Sequence, residues 1–302
     1  MKSTGSWYLV RTDDGSILRC RVRGKFKLKE SKTTNPVSVG DHVEVKLDIE
    51  NPEVAVIENI HPRENYVIRK SVHKTSHGNI LASNVDQAIL VATLAKPRTS
   101  LGFIDRFLVA CESFRIPAAV LFNKSDMLNS SQMLYQAEIS NIFKSIGYKV
   151  FSISALEGTG LENLEELLKN KVTLVAGHSG VGKSTLLNRI SKDISQKVDV
   201  VSESSLKGKH TTTFAEMFEL SKNTFIIDTP GIKELGMIDM ENWEISHYFP
   251  EMRNFLGQCK FNNCLHINEP GCKVLEALAK EEIHISRFES YLSILEDEDN
   301  RR

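Results

Sequence analysis

The sequence has no apolar run approaching the ~20 residues needed to cross a bilayer as a helix. Its first residues, MKSTGSWYLV, lack the apolar core of a signal peptide. These two absences exclude a helical membrane protein, and a cytoplasmic location with no membrane partner is expected. Cysteine is scarce, with five in 302 residues, too few for a disulfide scaffold. Cys20 and Cys111 fall in apolar-patterned stretches and read as packed thiols. There is no internal repeat and no low-complexity segment. A surplus of one charge sign is also missing, the formal net charge being -1. The balance conceals an asymmetry: residues 1 to 32 carry nine Lys/Arg against three Asp/Glu, whereas LEDEDN at 295 to 300 is acidic.

At 302 residues the chain is long enough for more than one module. From Trp7 to about Arg69, short alternating strands are separated by turn residues: WYLVRT, DDGS, ILRCRVRG, DHVEVKLD, VAVIENI. An OB-fold barrel fits this length, with an SH3-like barrel or an open meander as alternatives. From about 85 the rhythm changes. DQAILVATL, AAVLFN, KVFSIS, KVTLVAG and NTFIIDT have the continuous apolar character of strands buried on both faces. Helical patterns lie between them, the second with Ser130 or Ser131 as its expected N-cap and Gly147 as its stop. Strand and helix in alternation give a parallel α/β sheet. Beyond about 236 the strands stop, and two amphipathic helices follow a cysteine cluster. This last piece is expected to bury little by itself, so a metal staple is expected in it.

GHSGVGKS at 177 to 184 follows a strand and opens a helix, the context that a phosphate-binding G-x4-G-K-[ST] loop requires. Gly177, Gly180 and Gly182 let the backbone of Gly177, His178, Ser179, Gly180, Val181 and Gly182 curl with its N–H groups toward an anion. The helix N-terminus at Lys183, Ser184 and Thr185 adds a favourable dipole. Lys183 suits the β and γ phosphates, and Ser184 suits Mg²⁺. NKSD at 123 to 126 selects the base. Asp126 can accept from guanine N1–H and N2–H₂, which adenine does not offer; Asn123 can approach the other purine edge, and the stem of Lys124 can lie over the ring. Ser154 and Ala155 end another strand, where the Ala155 N–H suits guanine O6. In DTPG, Asp228 suits Mg²⁺ through water and Gly231 the γ phosphate. GKHTTT at 208 to 213 supplies a switch threonine, Thr211 or Thr212, to close over Mg²⁺.

CKFNNCLHINEPGC places Cys259, Cys264, His266 and Cys272 at C-x4-C-x-H-x5-C spacing. Three thiolates and one imidazole form a closed set for one structural Zn²⁺. The basic run RCRVRGKFKLK can track a phosphate backbone through Arg21, Arg23, Lys25 and Lys27, or can be an exposed strand face.

In ordinary small GTPases the phosphate loop comes first and NKxD follows. Here NKSD and the Ser-Ala pair precede it, an order that a circular permutation produces while keeping the site in space. NKSD, GHSGVGKS, GKHTTT, DTPG and the cysteine cluster together resemble the RsgA (YjeQ) family of circularly permuted, ribosome small subunit-dependent GTPases, over essentially the whole chain. The resemblance implies an N-terminal OB-fold β-barrel (1 to 69), a circularly permuted α/β P-loop GTPase domain (70 to 235) and a C-terminal helical zinc-binding domain (236 to 302). It also implies GTP hydrolysis that is slow alone, stimulated by the small subunit, and used late in that subunit's maturation. A monomer with the small subunit and its rRNA, GTP/GDP, Mg²⁺ and Zn²⁺ as partners is expected. After DTPG, where a water-orienting glutamine often stands, the residue is Ile232. His210 is the candidate to place the nucleophilic water, as the resemblance agrees; the plainer reading is a histidine packed in a loop.

Overall fold

The computed structural model describes residues 1–22, 36–47, 54–70, 78–190, 215–228 and 240–296. They fall into two compact units, one of Met1–Ile89, Leu161–Ala176 and Lys183–Ile238, the other of Leu90–Gly160, Gly177–Gly182 and Asp239–Arg302.

In the first unit, β1 (Lys2–Ser3), β2 (Tyr8–Arg11), β3 (Ile17–Val22), β4 (Val43–Leu47) and β5 (Ala55–Ile60) join in the order β1-β2-β3-β5-β4. β2 and β3 form the hairpin that the DDGS turn predicts, closed by Thr12 N–H to Ser16 O at 2.9 Å. β3 then pairs in parallel with β5, Cys20 opposite Ala55, which puts β4 beyond β5 and not beside β3. A meander cannot give that order, and an OB-fold does. Alternate inward positions supply its core: Tyr8, Cys20, Val37, Ala55 and Ile57. Burial pushes the Cys20 thiol up to about 11, as a packed thiol requires. β6 (Tyr66–Lys70) and β7 (Gly78–Ser83) make a separate antiparallel pair, a hairpin that the sequence pattern did not predict.

The same unit contains part of β8 (Gln87–Ala92), α3 (Leu161–Leu168), β11 (Val172–Ala176), α4 (Lys183–Ile190), β12 (Glu216–Ser221) and β13 (Thr224–Asp228). Its strand order runs β8-β11-β13-β12-β1, so one sheet continues into the barrel strands. The join is β1 against β12, antiparallel, with Lys2 opposite Glu216 and their side chains ion-paired at 2.8 Å. A two-residue strand has no readable periodicity, so this connection was beyond a sequence pattern.

In the second unit, β9 (Ala118–Phe122) and β10 (Lys149–Ser152) pair in parallel, in the order β10-β9-β8. β8 is buried along its whole length. The crossovers are α1 (Leu101–Ser113), capped by Ser100 Oγ accepting from Phe103 N–H, and α2 (Ser130–Ser145). The α2 cap is Asn129, one position before the expected serines. Its side chain accepts from Gln132 N–H while Gln132 accepts from the Asn129 N–H, a reciprocal pair that neither serine completes. Gly147, at φ 101°, ends the helix as expected.

The C-terminal part holds a 3₁₀ stretch (Asn242–Tyr248), α5 (Pro250–Arg253), α6 (Lys273–Ala279) and α7 (Ile285–Leu295). It does not lack a core. Phe249, Met252, Val274, Ile283 and Tyr291 are buried. Arg287 of α7, 1% exposed, pairs with Asp105 of α1, itself fully buried, and donates from Nε to Glu251 Oε1 at 2.7 Å. Its guanidinium lies 4.7 Å from the Phe249 ring centre. The expectation is of a piece that buries little by itself; here its Arg287 is buried against Asp105 of α1, far away in sequence.

Candidate functional site

The predicted base-reading residues follow parallel strands β9 and β10, at their carboxyl ends, where α/β sheets commonly bind ligands. Asn123 follows β9 directly and is 2% exposed. Its Nδ2 donates to Val181 O at 2.8 Å, and its Oδ1 accepts from Ala155 N–H at 2.9 Å. Asn123 therefore fastens the glycine loop to the Ser-Ala turn. The Asn123 amide expected at the purine edge and the Ala155 N–H expected at guanine O6 are here bonded to each other. Lys124 sits in the left-handed region at φ 64°, its Nζ donating to Lys96 O at 2.8 Å. Asp126 is exposed. Ser154 Oγ donates to its Oδ1 at 2.5 Å and itself accepts from Glu157 N–H at 3.0 Å, so the carboxylate is aimed by the turn that Asn123 anchors.

The glycine loop bends where the pattern requires. Gly177 has φ 146° and Gly182 φ 94°. A Cβ on Gly177 would fall 2.3 Å from Val91 O, and one on Gly182 would fall 2.4 Å from Asn123 Nδ2. Any side chain at Gly182 would thus break the Asn123 fastening as well as strain the backbone. Val181 is fully buried, while Ser179 and Gly180 are exposed. His178 lies against Phe103, ring centres 3.9 Å apart and planes 32° apart.

Lys183 begins α4 and faces Asp228 at the end of β13. Burial pulls Lys183 below the ordinary lysine range, with Asp228 opposing; burial raises Asp228, with Lys183 opposing. Asp228 Oδ1 is buried and finds no hydrogen-bond partner among the described residues. A hydrated cation would satisfy that oxygen, and the exposed Ser184 and Thr185 hydroxyls start the adjoining helix. This donor set fits Mg²⁺, a hard ion held by oxygen ligands. His210, Thr211, Thr212, Gly231 and Ile232 lie outside the described residues.

Cys259, Cys264, His266 and Cys272 converge, their ligand atoms all within 4.8 Å of one another. His266 Nδ1 is 3.7 Å from Cys259 Sγ and 3.3 Å from Cys272 Sγ. A tetrahedron with arms of about 2.0–2.3 Å has edges of about 3.3–3.8 Å, a range that holds both His266 separations, and the donor set is one that could hold zinc. Burial pushes the Cys264 thiol up to about 12. Lys273 N–H and Leu275 N–H point at Cys259 Sγ and Cys272 Sγ, donors suited to thiolates. Glu269 was missed in the sequence. Its carboxylate accepts the N–H groups of Leu265 at 2.7 Å, Ile267 at 2.8 Å and Asn268 at 3.1 Å. Tyr291 adds a bond to Leu265 O at 2.6 Å. The loop around Lys96 and Pro97 was also missed; Pro97 would be 3.5 Å from a Cβ on Gly180. Its proline and capping serine mark a loop, but nothing in the sequence ties it to the glycine turn.

A family model described as RsgA GTPase matches residues 60–238, and one described as RsgA N-terminal domain matches residues 1–57. A protein of Cytophaga hutchinsonii named small ribosomal subunit biogenesis GTPase RsgA is 52% identical over 301 residues, spanning 100% of this chain and 98% of that protein. A protein of the same name from Flavobacterium johnsoniae is 50% identical, covering 100% of this chain and 93% of its own length. The crystal structure of YjeQ from Thermotoga maritima superimposes with a TM-score of 0.78 at 34% identity, covering 98% of this chain and 95% of that one. YloQ, described as a circularly permuted GTPase, gives 0.74 at 26% identity, covering 100% of this chain and 94% of its own. The inverted order of the proposed base-reading and phosphate-binding motifs accords with the circular permutation named for YloQ, and the chain belongs to the RsgA GTPase family.

Proposed function

We propose that this chain is a GTP-hydrolysing assembly factor that acts late in maturation of the small (30S) ribosomal subunit, slow alone and stimulated by that subunit. The observation that carries the reading is the Asn123 fastening: one side chain joins the glycine loop at Val181 to the turn that aims Asp126. It sets a guanine reader and a phosphate cradle at a fixed spacing, which a guanosine di- or triphosphate needs and an isolated glycine turn does not. Asp126 reads N1–H and N2–H₂, and the N–H groups of Gly177 to Gly182 receive the phosphates. Lys183 neutralises phosphate charge. Ser184, Asp228 and a switch threonine would hold Mg²⁺, which supplies charge stabilisation on the β and γ phosphates when bound. Cys259, Cys264, His266 and Cys272 would hold one structural Zn²⁺. The proposed modules are 1–69, 70–235 and 236–302, in a cytoplasmic monomer.

GTP turnover measured with and without purified small subunits tests the proposal. About 10⁻⁴ to 10⁻³ s⁻¹ alone, the range of an unassisted small GTPase, and a large rise with the subunit are expected. Equal rates would remove the assembly-coupled activity. A second reading, a subunit-binding module that uses GTP as a structural ligand, is favoured by Ile232, which cannot orient water. Turnover with and without the subunit separates the two, and His210→Ala tests the histidine. Stimulated turnover should vanish while GTP affinity stays within about twofold; undiminished stimulation would remove His210 from the reaction.

The barrel adds a basic aromatic face. Arg19 and Arg21 place their guanidinium carbons 3.9 Å and 4.0 Å from the Trp7 ring centre. Neutralising Arg21, Arg23, Lys25 and Lys27 should weaken subunit binding and flatten its salt dependence by up to about 0.7–0.9 per contacted phosphate. An unchanged salt slope would show that this run is a plain solvated face.

A further inference from the structure

The inference rests on the reading of the glycine loop as a phosphate site. Phe103 stands in the first turn of α1 and is 5% exposed, with its ring against His178 of that loop. The residues that follow it on α1 are held by the C-terminal segment. Asp105 pairs with the buried Arg287, and Arg106 donates to Ser293 O at 3.2 Å and to Ser293 Oγ at 3.3 Å. At the far end of the helix, Glu112 accepts from Arg253 at 3.1 Å and from Tyr148 at 3.3 Å. With ~100° between successive helical positions, Asp105 and Phe103 are roughly 200° apart, so α1 turns one side to the loop and another to α7.

We infer that α1 is a lever by which the C-terminal helical segment holds the phosphate loop, with Phe103 as its positioning residue. The physical reason lies in the kind of attachment at each end. A buried guanidinium shared by two carboxylates cannot slide without leaving charge unpaired in a dry interior. α1 therefore moves with α7 or stays with it. The contact at the loop end is apolar, ring on ring, and transmits position without offering the loop a competing hydrogen bond. Loop and segment have no need to touch: a displacement of the zinc-bearing segment by a docked partner would reach His178 through α1, and an ordered loop would in return favour the held position of α1.

The test compares GTP and ITP dissociation constants for the full chain carrying Phe103→Leu, Arg106→Ala or both, with near-ultraviolet circular dichroism confirming the fold. Each single change should raise the GTP constant about 2- to 30-fold. The GTP-to-ITP preference should not change, because Asp126 is untouched. The double variant should be no worse than the weaker-binding single, since Arg106→Ala loosens and Phe103→Leu disconnects the same lever. Unchanged constants in both singles, or effects that multiply in the double, would overturn the inference. If Phe103→Leu does not fold, His178→Ala removes the same contact from the loop side and is judged by the same outcomes. Failure of the unaltered protein to bind GTP would instead overturn the nucleotide reading itself.

Discussion

Arg287→Met is expected to destabilise the second unit by about 3–5 kcal/mol, because it removes the cation and leaves two carboxylates buried. Asp105 and Glu251 would then face each other inside a core that includes Phe249 and Tyr291. Denaturation followed by Trp243 fluorescence in a Trp7→Phe background reads this part of the chain. The sign of the pH dependence also follows. Burial already raises Asp105 above the ordinary carboxylate range, with Arg287 opposing. A carboxyl whose folded-state pKa lies above its unfolded one favours folding in its protonated form, so its contribution falls as pH rises between the two values. Without Arg287 the folded value climbs further, and the deficit should be smaller at about pH 5 than at about pH 8. Replacing all three, Arg287→Met with Asp105→Leu and Glu251→Leu, should recover most of the stability, since an apolar trio of similar volume is often as stable as the charged one. A single variant within about 1 kcal/mol of the unaltered protein would show that the trio is hydrated and weak.

The second large effect concerns the base. Asp126→Asn keeps the shape and the bond from Ser154 but exchanges one acceptor oxygen for a donor. Guanine loses the charge-assisted bond from N2–H₂, worth about 1.5–3 kcal/mol, and its N1–H bond becomes a weaker neutral one, so GTP affinity should fall about 10²- to 10³-fold. Xanthine carries a C2 carbonyl where guanine has an amino group, and it matches the new amide. XTP should therefore bind the variant within about tenfold of GTP to the unaltered chain. Equilibrium titration with both nucleotides measures this. Undiminished GTP binding by Asp126→Asn would mean that Asp126 does not read the base.

Much of the site was legible because phosphate and guanine chemistry leave few options. A loop that cradles an anion needs glycines where Gly177 and Gly182 have no room for a Cβ, and a guanine reader needs a carboxylate. Cys259, Cys264, His266 and Cys272, which converge as a group that could hold a metal ion, were legible from their spacing. The role of Asn123 was not, since its partners Val181 and Ala155 are 58 and 32 residues away. The Arg287 trio escaped for the same reason on a longer scale: Asp105 is 182 residues from Arg287, and a charged residue on an amphipathic helix reads as a solvated face. The barrel order could not be decided from alternation because strand period says nothing about which strand lies beside β5. Asn129 displaced the expected serines because its cap is reciprocated by Gln132, a side-chain exchange that residue type alone leaves undecided.

The most direct test of a single nucleotide held at both ends is XTP binding to the Asp126→Asn chain with and without Lys183→Ala. If the base reader and the lysine after the glycine loop grip one molecule, XTP binding gained through Asp126→Asn should collapse, by about a hundredfold or more, when Lys183 is also removed. XTP held equally well by the single and double variants would mean that the two motifs serve different ligands.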